Sequence, residues 1–373
     1  MRRCEVRGRR FGLVVVALSL LASACEPASA QVRSGRLEVR MVDGESLADN
    51  ALGLPSMRRV SVYLPPSYDS SPTRAYPVVY ILHGIFDSDS AWTVPWATSP
   101  AGYATLQELM DRGVEAGVLK EMILVIPSSD KTCHYTNSPL KGNWEDFIRR
   151  DLVGFIDRQY RTLARASSRG IAGHSMGGHG ALKLSMKYPE TFSVVYGLSP
   201  SLLGWGGDVS TDNPEFAGLD TLDSLDDLSS AHFYVQALAS VGQCFSPSPT
   251  EAPFLTDFPF EVRGGRVVRA MPGFRRWEEQ MPLFMIDKHA ENLERLKGIR
   301  FDTGFDDEFS HIPITTQAFS EALSARGIEH QFEMYNGDHR NRLWGRHGRI
   351  YTELLPFFST LLETQPDAQG RRD

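Results

Sequence analysis

Ser175 lies at the centre of Gly173-His174-Ser175-Met176-Gly177, a G-x-S-x-G pentapeptide whose residue types suit a nucleophilic turn. Glycines on either side let a strand and a helix approach closely. The sharp turn between them strains the serine backbone and lifts its hydroxyl clear of the sheet edge. A serine hydroxyl is a poor nucleophile at neutral pH. It needs a base within hydrogen-bond reach and a further group that orients the base. Both residue types follow downstream, in Gly304-Phe305-Asp306-Asp307 and in Asn336-Gly337-Asp338-His339, each placed just after a strand pattern. The order serine, acid, histidine is the one this strand–turn–helix context requires.

His339 is the expected general base, and His311, close to the acid loop, is its rival; His289, His330 and His347 read as solvated surface residues. Asp306 and Asp307 are adjacent, so one can face the imidazole while the other meets solvent. Spacing from Gly304 favours Asp307, and Asp302 within the strand reads as structural. A tetrahedral intermediate needs two backbone N–H donors aimed at its oxyanion. One is expected from Met176, after the serine, and the other from Ile85 in the His83-Gly84-Ile85 turn. With 32 glycines in the chain, a bare G-x-S-x-G arises by chance in roughly one such sequence in five. The flanking elements therefore matter more than the pentapeptide.

Those elements alternate. Arg36 to Val42 and Arg59 to Leu64 read as strands, and Pro77 to Leu82 as a continuous apolar strand buried on both faces. Tyr103 to Glu115 is helical, Met122 to Ile126 is the next strand, and Trp144 to Tyr160 is an amphipathic helix with an acidic first turn. The apolar segment Arg169 to Ala172 precedes the pentapeptide, and helical periodicity runs from Gly178 to Lys187. Phe192 to Leu198, Ile299 to Thr303 and His330 to Tyr335 complete the strand set; helices are expected over Pro282 to Leu296, Ile314 to Arg326 and Tyr351 to Leu362. This pattern predicts an α/β fold with a doubly wound, mostly parallel sheet. Residues 201–280, rich in Gly, Pro, Ser and Asp, are too long for a structureless loop and are expected to form an inserted cap with short helices of its own. Residues 31–366 then make a single catalytic domain, and 367–373 a frayed tail.

The apolar content of 42% and net charge of −7 fit a globular chain and disfavour nucleic acid as a partner. Met1 to Arg10 carries five arginines, and Phe11 to Leu21 is apolar. With Ala28-Ser29-Ala30 ahead of Gln31, residues 1–30 have the form of a secretory signal, too short in its apolar run to span a bilayer. Leu21-Ala22-Ser23-Ala24-Cys25 offers a competing lipobox, which would tether the chain through Cys25, and Arg9-Arg10 is a weak twin-arginine signal. Cys133 and Cys244 remain after cleavage, and the sequence leaves a disulfide and two buried thiols equally open. No metal-ligand spacing is present, and no metal or organic cofactor is expected. Trp92, Trp96, Trp205 and Trp277 suit either a stacking cleft or the core, and Tyr135-Thr136-Asn137-Ser138 either the site or a surface loop.

Taken together, Arg59-Val60-Ser61-Val62-Tyr63-Leu64-Pro65-Pro66-Ser67-Tyr68, Tyr76 to Gly84, Gly142-Asn143-Trp144-Glu145-Asp146-Phe147, the Gly170 to Gly180 elbow and Gly337-Asp338-His339 resemble the putative-esterase (esterase D-like) branch of the α/β hydrolases. That branch contains S-formylglutathione hydrolases, feruloyl and acetyl-xylan esterases, and mycolyltransferases. The resemblance spans roughly Leu52 to Ser199 and Ile299 to His339. It implies Ser175 as nucleophile, His339 as base, Asp307 as acid, and oxyanion donors at Ile85 and Met176. It also implies a small-molecule or polymer-linked ester as substrate. The expected activity is exported ester hydrolysis through an acyl-enzyme. Acyl transfer, or binding without catalysis on a hydrolase scaffold, are the alternatives. Residues 201–280 fall outside the resemblance.

Overall fold

The computed structural model describes residues 34–95 and 103–365. The signal and lipobox segments, Trp96 and the tail lie outside the described residues. Eight strands form the main sheet: β1 (Arg36–Asp43), β2 (Met57–Leu64), β3 (Val78–Leu82), β4 (Ile123–Pro127), β5 (Arg169–His174), β6 (Val194–Leu198), β7 (Gly298–Gly304) and β8 (Gln331–Tyr335). Their order across the sheet is β1-β2-β4-β3-β5-β6-β7-β8. β2 pairs antiparallel with β1 and β4, and every other pairing is parallel. Strands β3 to β6 are buried throughout, which is what their continuous apolar sequences require of a sheet covered on both faces. Trp144, Phe147 and Leu182 belong to the core on one face; Leu109, Tyr196 and Phe358 belong to that on the other.

This order is the one needed to position the chemistry. β3, β5, β6, β7 and β8 run parallel as neighbours, so their carboxyl ends share one edge. The His83 turn leaves β3 there, Ser175 leaves β5, the acid loop leaves β7 and the histidine loop leaves β8.

Several regions differ from their sequence reading, among them the helix expected from Ile314, which runs His311–Ser324. The helix expected from Tyr103 starts at Leu106, because Thr105 and Glu108 close a reciprocal capping box. The helix expected over Pro282 to Leu296 is broken into Pro282–Met285, a 3₁₀ turn at Asp287–His289, and Ala290–Glu294. The first piece packs on both the Met176–Lys187 and His311–Ser324 helices, the second on Met176–Lys187 and the turn before it. Residues 201–280 contain a 13-residue helix, Phe233–Phe245, and a two-stranded hairpin, Phe260–Arg263 with Arg266–Arg269, turning at Gly264-Gly265. The hairpin was not anticipated, although both glycines have positive φ, 57° and 73°, as a tight primed turn demands.

Asp302 is structural, as its place inside β7 suggested. Its carboxylate accepts hydrogen bonds from Tyr196 Oη and Arg349 Nε, both at 2.6 Å, and Arg349 also reaches Glu333. Arg349→Ala leaves the fully buried Asp302 without its cation, and such losses cost about 3 kcal/mol or more. A thermal melt is expected to show a clearly lowered Tm; a Tm within a degree of wild type contradicts the assignment. Cys133 and Cys244 are buried, unpaired thiols. Burial pushes both above the ordinary thiol range, so neither is a reactive thiolate. Among the described residues, no helix is long and apolar enough to cross a membrane.

Candidate active site

The turn between β5 and the Met176–Lys187 helix holds Ser175 at φ 56°, ψ −118°, a region that non-glycine residues rarely occupy. Backbone bonds hold it on both sides: Ser175 N–H donates to the Leu198 carbonyl at 2.9 Å, and Ser201 N–H donates to the Ser175 carbonyl at 3.1 Å. The flanking glycines are sterically required. A Cβ at Gly177 would lie 2.2 Å from the Leu82 carbonyl oxygen, and one at Gly173 would lie 2.3 Å from the Gly177 backbone. Strand and helix meet at bare backbone, which fixes where the serine stands.

Ser175, His339 and Ile85 line one cavity, with an empty volume of about 660 Å³ counted to its open mouth. His339 is nearly fully buried, and its Nδ1 donates to Asp307 Oδ2 at 2.7 Å. Asp307 is itself oriented by Phe309 N–H, which donates to Oδ1 at 3.0 Å. Asp306 is exposed, and its N–H donates to the Gly337 carbonyl at 3.0 Å, tying the acid loop to the histidine loop. The structure therefore brings Asp307 to the imidazole and turns Asp306 to solvent. Burial pushes the His339 imidazole well down and the Asp307 carboxyl up. With Nδ1–H committed to Asp307, the neutral ring has its Nε2 lone pair free to take a proton.

Two histidines not given a role by the sequence support this arrangement. His174 Nε2 donates to the His339 backbone carbonyl at 2.9 Å, and the two rings lie 4.4 Å apart. His83 is fully buried; its Nε2 accepts from Ser129 N–H at 2.8 Å, so its Nδ1–H donates to the Gly84 carbonyl at 2.7 Å. A trans amide carries its N–H opposite its carbonyl, so this bond fixes the direction of Ile85 N–H. A Cβ added at Gly84 would lie 3.5 Å from that of Ser175, which places the turn beside the serine. Met176 opens its helix, so its N–H has no intrahelical acceptor. The signal for His83 was its place in the turn; nothing in the sequence distinguished His174.

Other expectations resolve plainly. His311 lines the same cavity but donates from Nδ1 to Asp208, not to the acid of β7. His330 is not a solvated surface residue: it stacks on Phe301, 5.5 Å between centroids, and bonds to Ser320. His289 is half-buried, and His347 is exposed as expected. Trp92 and Trp277 are core, and Trp205 stacks on Phe274 at 4.3 Å; none lines the cavity. Of the loop before the Trp144 helix, His134 reaches the cavity wall, whereas Tyr135 is buried and donates to the His83 carbonyl. Residues 201–280 contribute Leu202, Val209, Phe233, Tyr234, Ala237 and Val241 to the wall, leaving it mostly apolar. Among the described residues, no group of three or more His, Cys, Asp or Glu could hold a metal ion.

The fold and this geometry can be set beside known proteins. A ferulic acid esterase matches with a TM-score of 0.59 at 20% identity, covering 88% of this chain and 99% of its own. An S-formylglutathione hydrolase from Agrobacterium tumefaciens matches with a TM-score of 0.55 at 16% identity, covering 89% and 97%. At such identities the likeness establishes the α/β-hydrolase fold. In sequence, the esterase Rv1288 of Mycobacterium tuberculosis is 36% identical over 138 residues, 36% of this chain and 27% of the relative. The matched segment thus spans about a quarter of that relative's length. The putative-esterase family model matches residues 53–347, which takes in the serine turn, the acid loop and the histidine loop together: the chain belongs to the putative esterase family.

Proposed function

We propose that the chain hydrolyses carboxylic esters by acyl transfer through Ser175. The observation that carries this reading is the strained serine, at φ 56°, in one cavity with an imidazole whose far nitrogen is bonded to a buried carboxylate. Ser175 Oγ attacks the ester carbonyl carbon as His339 Nε2 takes its proton. Asp307 holds the imidazole in the required tautomer and stabilises the cation that forms. Met176 and Ile85 N–H groups receive the developing oxyanion. The tetrahedral intermediate collapses, His339 returns the proton to the departing alkoxide, and water resolves the acyl-enzyme by the same steps in reverse. Residues 31–366 act as one catalytic domain capped by 201–280, and the arginine-led apolar leader supports an exported chain.

The apolar wall supplied by the cap suits the acyl group. Each buried methylene stabilises by about 0.8 kcal/mol, so p-nitrophenyl butyrate is expected to exceed the acetate in kcat/KM by about tenfold. Hydrolysis timed with residues Gln31–Asp373 tests this. A folded chain that releases no nitrophenolate from either ester overturns the esterase reading.

The pH dependence has a definite sign. The base works unprotonated, and burial lowers the pKa of His339, so activity is lost only when pH falls below the ordinary imidazole value of about 6.5. A kcat/KM profile is expected to be flat through neutrality with an acid limb centred below pH 6.5. An acid limb centred above pH 7 contradicts a desolvated base.

A further inference from the structure

A second imidazole–carboxylate pair faces the same cavity and is not used in the chemistry above. His311 opens the His311–Ser324 helix and is buried, 5% exposed. Its backbone N–H and its ring Nδ1 both donate to Asp208 Oδ1, at 2.8 and 2.7 Å. Tyr234 Oη donates to the other oxygen of Asp208, and Asp208 N–H donates to Ser310 Oγ at 2.9 Å. Burial alone would raise the Asp208 carboxyl; the hydrogen bond and electrostatic attraction of His311, with the hydrogen bond from Tyr234, outweigh it and hold the group below the usual carboxylate range. Asp208 is thus an acceptor, and Nδ1 of His311 must be the donor. In a ring that carries a single proton, the lone pair is then on Nε2. That atom is buried and has no hydrogen-bond partner among the described residues, while the ring lines the cavity shared by Ser175 and His339. Phe309 stands between the two imidazoles, its centroid 5.1 Å from the His339 ring and 6.4 Å from that of His311.

We propose that His311 Nε2 reads a hydroxyl group on the substrate, accepting its hydrogen bond inside an otherwise mostly apolar wall. The inference rests on the esterase reading and names a specificity-determining residue for it. A buried acceptor left unpaired is costly, and a substrate O–H placed on it removes that cost. An isosteric methyl group in the same place offers no proton and leaves the acceptor unpaired. The support comes from the cap: Asp208 and Tyr234 both belong to residues 201–280, which also supply much of the cavity wall. Variation of the cap would then retune or remove the reader without touching Ser175 or His339.

The test uses two matched ester pairs, because the hydroxyl could sit on either side of the scissile bond. Methyl p-hydroxyphenylpropionate is compared with methyl p-methylphenylpropionate, and hydroxyethyl butyrate with propyl butyrate. Wild type is expected to prefer the hydroxylated member of one pair by about tenfold or more in kcat/KM, as one satisfied buried hydrogen bond allows. In His311→Phe that ratio falls to within about twofold, as expected once the buried acceptor is gone. Should the phenylalanine variant fail to fold, His311→Gln, which keeps an acceptor of similar reach, is measured instead and is expected to retain only part of the preference. Equal rates within both pairs in wild type, or a preference unchanged in the variant, overturn the inference while leaving the esterase reading intact. Hydrolysis of none of the four esters by folded wild type overturns both.

Discussion

Ser175→Ala is expected to lower kcat for p-nitrophenyl butyrate by about 100,000-fold, leaving only the residual rate that binding and the oxyanion donors sustain. The alanine lacks the attacking oxygen, and His339 has no other nucleophile held at the elbow. The fold should survive, since alanine tolerates the φ 56° backbone no worse than serine and the glycine contacts that shape the turn are untouched. Ser175→Gly makes the companion point. It is equally inactive, but glycine enters this backbone region freely, relieving strain of about 1–3 kcal/mol against an entropy cost of up to about 1 kcal/mol in the unfolded chain. Its Tm should therefore equal or exceed that of Ser175→Ala. Activity of either variant within a hundredfold of wild type would remove Ser175 from the mechanism.

Asp307→Asn is expected to cost about 10,000-fold in kcat, whereas Asp306→Asn changes it less than about threefold. The difference follows from orientation. Phe309 N–H donates to Asp307 Oδ1, so in the variant the carbonyl oxygen of the asparagine takes that place and its NH₂ group faces His339. An NH₂ group donates to Nδ1, which moves the ring proton to Nε2 and leaves no lone pair for the serine proton. Asp306 is exposed and engages the histidine loop through its backbone N–H, which the substitution preserves. Steady-state kinetics on the two variants, side by side, separate the neighbours. Equal losses, or the larger loss at Asp306, would contradict the arrangement.

The parts of this site that could be read from the sequence are those set by local structure. Strand–turn–helix around Ser175 is encoded within about twenty residues, and the close approach of strand and helix leaves no room for a Cβ at Gly173 or Gly177. The acid and histidine loops were legible because each follows a strand of ordinary length whose apolar and polar residues alternate. Between Asp306 and Asp307 the sequence offered only a preference for Asp307 from its spacing, since the choice depends on how β7 and β8 hand their loops to each other, with Phe305 and Asp306 N–H bonded to the Tyr335 and Gly337 carbonyls. The place of His174, and the pairing that makes His311 something other than the rival base, were illegible for the same reason. Their partners, the His339 carbonyl and Asp208, are 165 and 103 residues away. Within the cap, Val235, Leu238, Ala239, Gly242 and Phe245 do form a helical face, but Gly, Ser and Asp on both flanks diluted that periodicity across a long window. The reverse error occurred over Pro282 to Leu296, where an unbroken periodic pattern concealed a 3₁₀ turn between two short helices.

The central claim is that Ser175 is the nucleophile of this cavity, and covalent trapping tests it most directly. The chain from Gln31 is treated with a fluorophosphonate, an electrophile that phosphonylates an activated serine, and the intact mass, the modified peptide and the residual esterase activity are followed together. One adduct per chain is expected, on the peptide containing Ser175, with activity lost in proportion to labelling and no adduct on Ser175→Ala. Full ester hydrolysis after stoichiometric labelling, or an adduct on another serine that abolishes activity, would contradict the account.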